Sequence, residues 1–281
     1  MKVTPVLILA ALLAAAPLTA QDAVGWQRSA GATEPPVAVF HSTQSANLAT
    51  AETLRRGEWL FEISHRFLPA VSDGAEALWG LDGPVFNRLG LAYAVTDRVM
   101  VGVLRTNLAD NLELNLKARI LEGGRESVPF MVALNGGVAW NTGLPTVDGL
   151  EDNESQAYVQ VVANALLGDR FAVGVVPTYL RNPRVDDVEA DNAVVLGLNG
   201  QLYLSPMVSV LGEWVVSEPR VGLEHDSGTL GVELETGGHF FKLIVTNTAR
   251  MNPTQFLGGT PYEFRPGEWR FGFNVTRLLS F

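Results

Sequence analysis

The sequence predicts an all-β protein, a single antiparallel up-and-down transmembrane β-barrel of about 12 strands that follows a cleaved signal peptide. Three observations carry this expectation. From residue 57 onward the chain repeats stretches of about ten residues of alternating polarity. The links between those stretches alternate between short and long. Past the first twenty residues, no apolar run is long enough to span a membrane as a helix.

The N-terminus sets the frame. Met1-Lys2, the apolar run Val6–Ala16 and then Pro17-Leu18-Thr19-Ala20 have the charged, apolar and small-residue regions of a secretory signal, with Ala20 the last residue removed. The expected organisation is therefore a signal peptide over 1–20, an N-terminal segment over 21–56, and a barrel over 57–281. The chain has no cysteine, which excludes a lipidated N-terminus, disulfides, thiol catalysis and thiolate metal sites.

Alternation defines the strands because residues of one parity share one face of a sheet. Trp59, Phe61, Ile63 and Phe67 lie on one face, with Glu62, Ser64 and Arg66 on the other. Leu112, Leu114 and Leu116 oppose Glu113, Asn115 and Lys117, and the last strand sets Phe271, Phe273 and Val275 against Arg270, Asn274 and Thr276. The same reading places strands near 57–68, 85–95, 98–107, 111–120, 128–140, 155–167, 170–180, 192–204, 207–217, 227–236, 238–248 and 267–281.

Links such as Thr96-Asp97-Arg98, Gly168-Asp169-Arg170 and Thr236-Gly237-Gly238 are short. Those at 69–84, 141–154, 181–191, 217–226 and 249–266 are long, and only the one near 108–110 breaks the rule. Short turns on one rim and long loops on the other are the mark of an outer-membrane barrel, and an even strand number puts both chain ends on the short-turn side. A secreted β-sandwich also alternates, but it does not sort its links by length. Trp59, Trp140, Trp214 and Trp269 fall near strand ends, where an interfacial girdle would place them. The final Phe281, closing an aromatic-faced strand, resembles the assembly signal of outer-membrane barrels. It implies the barrel-assembly machinery and outer-membrane lipids as partners.

The formal net charge of −10 argues against nucleic acid, whose phosphates need clustered Lys and Arg. By parity Arg66, Arg88 and Arg270, on three strands that become neighbours when the barrel closes, point into the lumen. Glu213, Glu233 and Glu235 face them across it. Opposed basic and acidic walls would orient polar solutes. The plainer alternative is that these charges pair with one another or with loop acids such as Asp82 and fill a narrow interior. The parity of Arg105 is ambiguous because Gly102 interrupts the pattern.

His65, on the lipid-side parity, raises the thought of an outer-membrane lipid hydrolase. No serine stands in a partner position, and Ser64 points the other way. No catalytic residue, cofactor or metal site is expected. His41, His225 and His239 lack metal-ligand spacing, and the acidic links 148–154 and 186–191 lack calcium-loop spacing. Residues 22–56, with Pro35-Pro36 and a polar Ser/Thr/Asn run, form either a periplasmic tail or a plug in the lumen.

One stretch carries a family resemblance. Phe40, Ser42-Thr43, Thr50, Glu52-Thr53-Leu54 and Gly57 are followed by Ile63-Ser64-His65-Arg66-Phe67, Gly80-Leu81-Asp82 and Arg88-Leu89-Gly90-Leu91. Tyr93, Thr96-Asp97, Val101-Gly102-Val103 and Arg105 complete it. This pattern resembles an uncharacterised bacterial family of membrane β-barrels, over about the first third of the chain. Trp79 stands where that family has Phe, and Leu68 where it has Gly. The resemblance implies a barrel and an outer-membrane address, and it carries no site residues. The stretch from Phe40 onward favours an ordered role for 22–56, packed against the barrel.

The functional expectation is a narrow, porin-like passive channel for small polar solutes, with no enzyme activity. The alternative is a closed structural or partner-binding barrel with a plugged lumen, serving a periplasmic protein. Lumen occupancy by the N-terminal segment separates the two.

Overall fold

The computed structural model describes residues 38–124, 127–144, 154–185, 192–217 and 223–279. The signal-peptide reading, the acidic stretches 148–153 and 186–191, and Phe281 lie outside these residues.

Twelve strands follow one another in the order of the chain: β1 Trp59–Phe67, β2 Val85–Thr96, β3 Val99–Thr106, β4 Asn111–Gly123, β5 Phe130–Asn141 and β6 Ser155–Leu167. The second half comprises β7 Phe171–Arg181, β8 Asn192–Tyr203, β9 Val208–Val216, β10 Ser227–Glu235, β11 His239–Thr246 and β12 Arg270–Leu279. Each pairs antiparallel with its sequence neighbours, and β12 returns to β1 with Trp59 opposite Leu279 and Arg66 opposite Gly272, so the sheet closes. Closure leaves no strand edge unpaired, which is what lets a sheet stand in hydrocarbon without orphaned backbone groups.

The alternation read from the sequence is realised as two surfaces. Outward positions such as Val194, 70% exposed, are apolar and uncovered, while inward Ser64, Arg66 and Arg88 are fully buried. Among the described residues no helix is long and apolar enough to cross a membrane.

β4 departs from the expected pattern. The alternation read over 111–120 runs on to Gly123, because the β4–β5 register shifts between Arg119 and Leu121. This bulge turns Ile120 and Leu121 outward in succession, so a strict period of two misses the last three residues. Arg105 faces outward, opposite Leu89 and Leu112, and pairs with Asp110 at 2.6 Å.

Candidate functional site: the plugged lumen

Residues 39–54 form a plug in the barrel, with Ala38 and Arg56 exposed at its rim. They enter at the short-turn rim as a hairpin in which Gln44 bridges Ala49, the Thr50 amide donates to the Thr43 carbonyl (3.1 Å), and Ser45 closes on Leu48 (2.9 Å). Ser, Asn and Gln suit such a segment because their side chains hold turns rather than long ladders. The chain then crosses the rim at the β2–β3 turn, where the Thr53 hydroxyl donates to the Asp97 carbonyl (2.8 Å) and the Gly57 amide to the Ala94 carbonyl (2.9 Å). Gly57 takes a φ of +84°, a left-handed conformation that glycine adopts without strain, and β1 begins two residues later.

The wall holds this plug through its backbone. The amides of Ala46, Asn47 and Leu48 at the hairpin tip donate to the Glu213 carboxylate at 2.7, 2.9 and 2.8 Å. From β4, Lys117 Nζ donates to the carbonyls of Thr43, Thr50 and Glu52 at 2.6, 2.9 and 3.1 Å. From β11, Lys242 Nζ donates to Ser42 Oγ (2.8 Å) and the Gln44 and Ser45 carbonyls, and it pairs with Glu233 at 3.2 Å. Asn274 donates to the Ala46 carbonyl (2.6 Å), and Asn164 accepts from the Ala51 amide (2.5 Å). A buried ion is tolerable only when its remaining hydrogen-bonding capacity is met, and here the plug meets it.

Packing adds to this. Leu48, fully buried, and Phe40 belong to one apolar cluster with Val176, Val195 and Val215 of the wall. Burying such side chains is worth about 1.5–3 kcal/mol each. Gly197 on β8 makes room for it: a Cβ built there would stand 2.6 Å from Leu48 Cδ2.

A second segment closes the lumen from the long-loop rim. The β11–β12 link turns inward at Met251–Leu257, around the short helix α1 Pro253–Phe256, and all seven residues are buried. Glu113 accepts from the Thr254 hydroxyl (3.1 Å) and amide (3.3 Å) and from the Tyr158 hydroxyl (3.1 Å). Asn252 donates to Asn111 (2.6 Å), and Gln255 donates to the Leu108 carbonyl (2.9 Å).

The six charged residues read from the sequence fall within this arrangement. Arg88 binds Glu62 as an ion pair and donates to the Met251 carbonyl (2.6 Å). Arg66 donates to Asn274 (2.8 Å) and to Asn47 of the plug (2.8 Å). Arg270 donates to the Leu68 (2.9 Å) and Glu268 (2.7 Å) carbonyls, with its guanidinium 3.4 Å above the Tyr262 ring. Glu213 holds the plug tip, while Glu233 and Glu235 flank His41 of the plug at 3.7 and 3.5 Å. On the outer wall the His65 ring packs on Phe273 (4.6 Å between centroids), and inside, Ser64 donates to Glu62. Lys117, Lys242 and Glu113, which sequence reasoning did not single out, are as central as the six; their inward parity in β4 and β11 was the available signal.

A closed twelve-strand antiparallel barrel with an apolar outer face and a filled interior defines a membrane β-barrel. The chain belongs to the membrane bound beta barrel domain family (DUF5777), whose model matches residues 40–279. The kinship thus covers nearly the whole barrel, whereas the resemblance legible in the sequence reaches only to Arg105, about the first third of the chain. No curated protein matches the chain. Among solved structures it is similar to the NanC porin at 7% identity, covering 79% of this chain and 99% of that one with a TM-score of 0.49. It is similar to an outer-membrane channel from Pseudomonas putida F1 at 13% identity, covering 82% and 98% with a TM-score of 0.46. It is also similar to outer membrane phospholipase A from Escherichia coli at 12% identity, covering 80% and 90% with a TM-score of 0.43. No residue role transfers at such identities.

Proposed function

We propose that the protein is an outer-membrane barrel of porin-like build that is closed at rest by its own N-terminal segment. Passage of small polar solutes then depends on the plug leaving its seat. The observation that carries this reading is the engagement of Glu213, Lys117 and Lys242 with the backbone of residues 43–52. In an open porin such groups would face water and solute. Here they hold a hairpin, and an apolar wall on β7–β9 seats its Leu48. The short-turn rim, where the plug enters, faces the periplasm in this reading, so a periplasmic protein is the kind of partner that could reach it. No catalytic role is proposed, because His65 is packed on Phe273 and Ser64 is turned to the opposite face.

Planar-bilayer recording on the refolded chain, with and without residues 22–52, tests the reading. The full chain is expected to stay closed for most of the record, and the truncated chain to conduct steadily. Equal steady conductance from both would replace the plugged barrel with an open pore.

A further inference from the structure

The plug carries one histidine, and the wall meets it with acids. His41 Nδ1 lies 3.5 Å from Glu235 Oε2 and 3.7 Å from Glu233 Oε1, both on β10. Its ring stacks on Tyr203 of β8 at 4.1 Å between centroids, and the Tyr203 hydroxyl donates to the Val39 carbonyl (3.0 Å). Plug and wall together therefore hold the imidazole at the two carboxylates. The other charges around it are already matched. Lys242 of β11 pairs with Glu233 at 3.2 Å, and Lys117 of β4 stands beside Glu52 of the plug, whose carbonyl it binds at 3.1 Å. Glu235, 7% exposed, has no lysine or arginine partner among the described residues, and His41 is its basic neighbour. Three carboxylates thus face two ammonium groups, an excess of one negative charge that a protonated His41 cancels.

We infer that His41 is a proton-operated latch on the plug: its imidazolium ties the plug to Glu235 and Glu233, and its neutral form releases that tie. Histidine is the side chain that changes charge near neutral pH. With 29% of its side chain exposed at the short-turn rim, His41 can exchange its proton with water while the plug is seated. A carboxylate buried without its cation is costly, which gives Glu235 its leverage on the plug. Because the cationic form is the one the carboxylates hold, seating and proton binding favour each other. The grip is full at acid pH and is lost as the pH rises. The latch rests on the closed-barrel reading and adds a signal to it, the acidity on the side where the plug enters.

Bilayer recording on the refolded full chain at pH 5.5 and pH 8, which bracket the range where a histidine side chain changes charge, tests the latch. The ratio of open to closed time is expected to rise about fivefold from pH 5.5 to pH 8, a size set by partly exposed ion pairs. His41→Gln should show the wild-type pH 8 ratio at both values. Glu235→Gln, which leaves the histidine in place, should reduce the rise to about twofold. His225→Gln at the long-loop rim and His239→Gln on the outer wall should keep the full rise. A rise that persists in His41→Gln, or a wild-type chain that opens at pH 5.5 and closes at pH 8, overturns the inference. A chain closed equally at both pH values loses the latch alone, whereas steady conductance at both removes the closed-barrel reading and the latch with it.

Discussion

The Glu213 carboxylate accepts the Leu48 amide at 2.8 Å across 165 residues of sequence, and with the Ala46 and Asn47 amides it anchors the tip of the plug to β9. Hydrogen bonds to a charged group are worth about 1.5–3 kcal/mol each, and 1.4 kcal/mol is a tenfold change in an equilibrium. Glu213→Ala is therefore expected to raise the unplugged population at least tenfold. Bilayer conductance and protease cleavage within 38–56 should rise together. A Glu213→Ala barrel that stays closed and protected would show that the anchor is dispensable.

Gly197 and Leu48 form the packing half of the seat. A valine at 197 would drive its side chain into Leu48, because even its Cβ would lie 2.6 Å from Cδ2 and 3.0 Å from Cδ1. Gly197→Val should open the barrel, and Leu48→Ala alone should loosen the plug by about 2–5 kcal/mol. The double variant should be no more open than either single one, since the shorter side chain removes the clash. Additive opening, read as conductance, would mean that the two residues act on the plug through separate contacts.

The strands were legible because a period of two survives wherever one face is apolar and the other polar, as in β1 and β4. All twelve lie within three residues of the stretches read from the sequence. The filled lumen was legible only in part. Inward Val176 and Leu180 on β7, and Ala193 and Val195 on β8, are as apolar as their outward neighbours Val175 and Val194. A wall of that kind is a poor lining for an aqueous pore. Yet it flattens the alternation and reads simply as strong strand. The in-folded Met251–Leu257 has no periodicity to read, and the apolar Met251, Phe256 and Leu257 in a long loop were the only hint. The Arg88–Glu62 pair depends on strand register, which places Ser64 opposite Arg88 and brings Glu62 one step away on the same face. A single sequence does not supply that register.

The outer face makes its own demand. Leu196 and Val161 point outward at mid-strand. Leu196→Arg or Val161→Arg would set a guanidinium against the hydrocarbon core, at a cost of roughly 2–4 kcal/mol. Leu204→Arg, just beyond β8 at the short-turn rim, should cost only about 0–1 kcal/mol. Urea titration of barrels folded into lipid vesicles measures the difference. Equal destabilisation by all three would mean that the apolar band is not the membrane-facing surface.

The arginines at the long-loop end bear on what an unplugged barrel would pass. Arg66 loses its Asn47 partner when the plug leaves, while Arg88 keeps Glu62, and Arg270 keeps two carbonyls and the Tyr262 ring. Arg66 is thus the guanidinium with spare donors in an open lumen, and a planar fork of this kind grips carboxylate or phosphate through two bonds. In the chain lacking residues 22–52, the combined Arg66→Ala, Arg88→Ala and Arg270→Ala change is expected to lower anion preference. Arg105→Ala, on the outer face and paired with Asp110, should leave that preference unchanged. Reversal potentials in a salt gradient distinguish the two. If the triple variant keeps the ion preference of its parent, the arginine row serves only to brace β1, β2 and β12 against the loops above them.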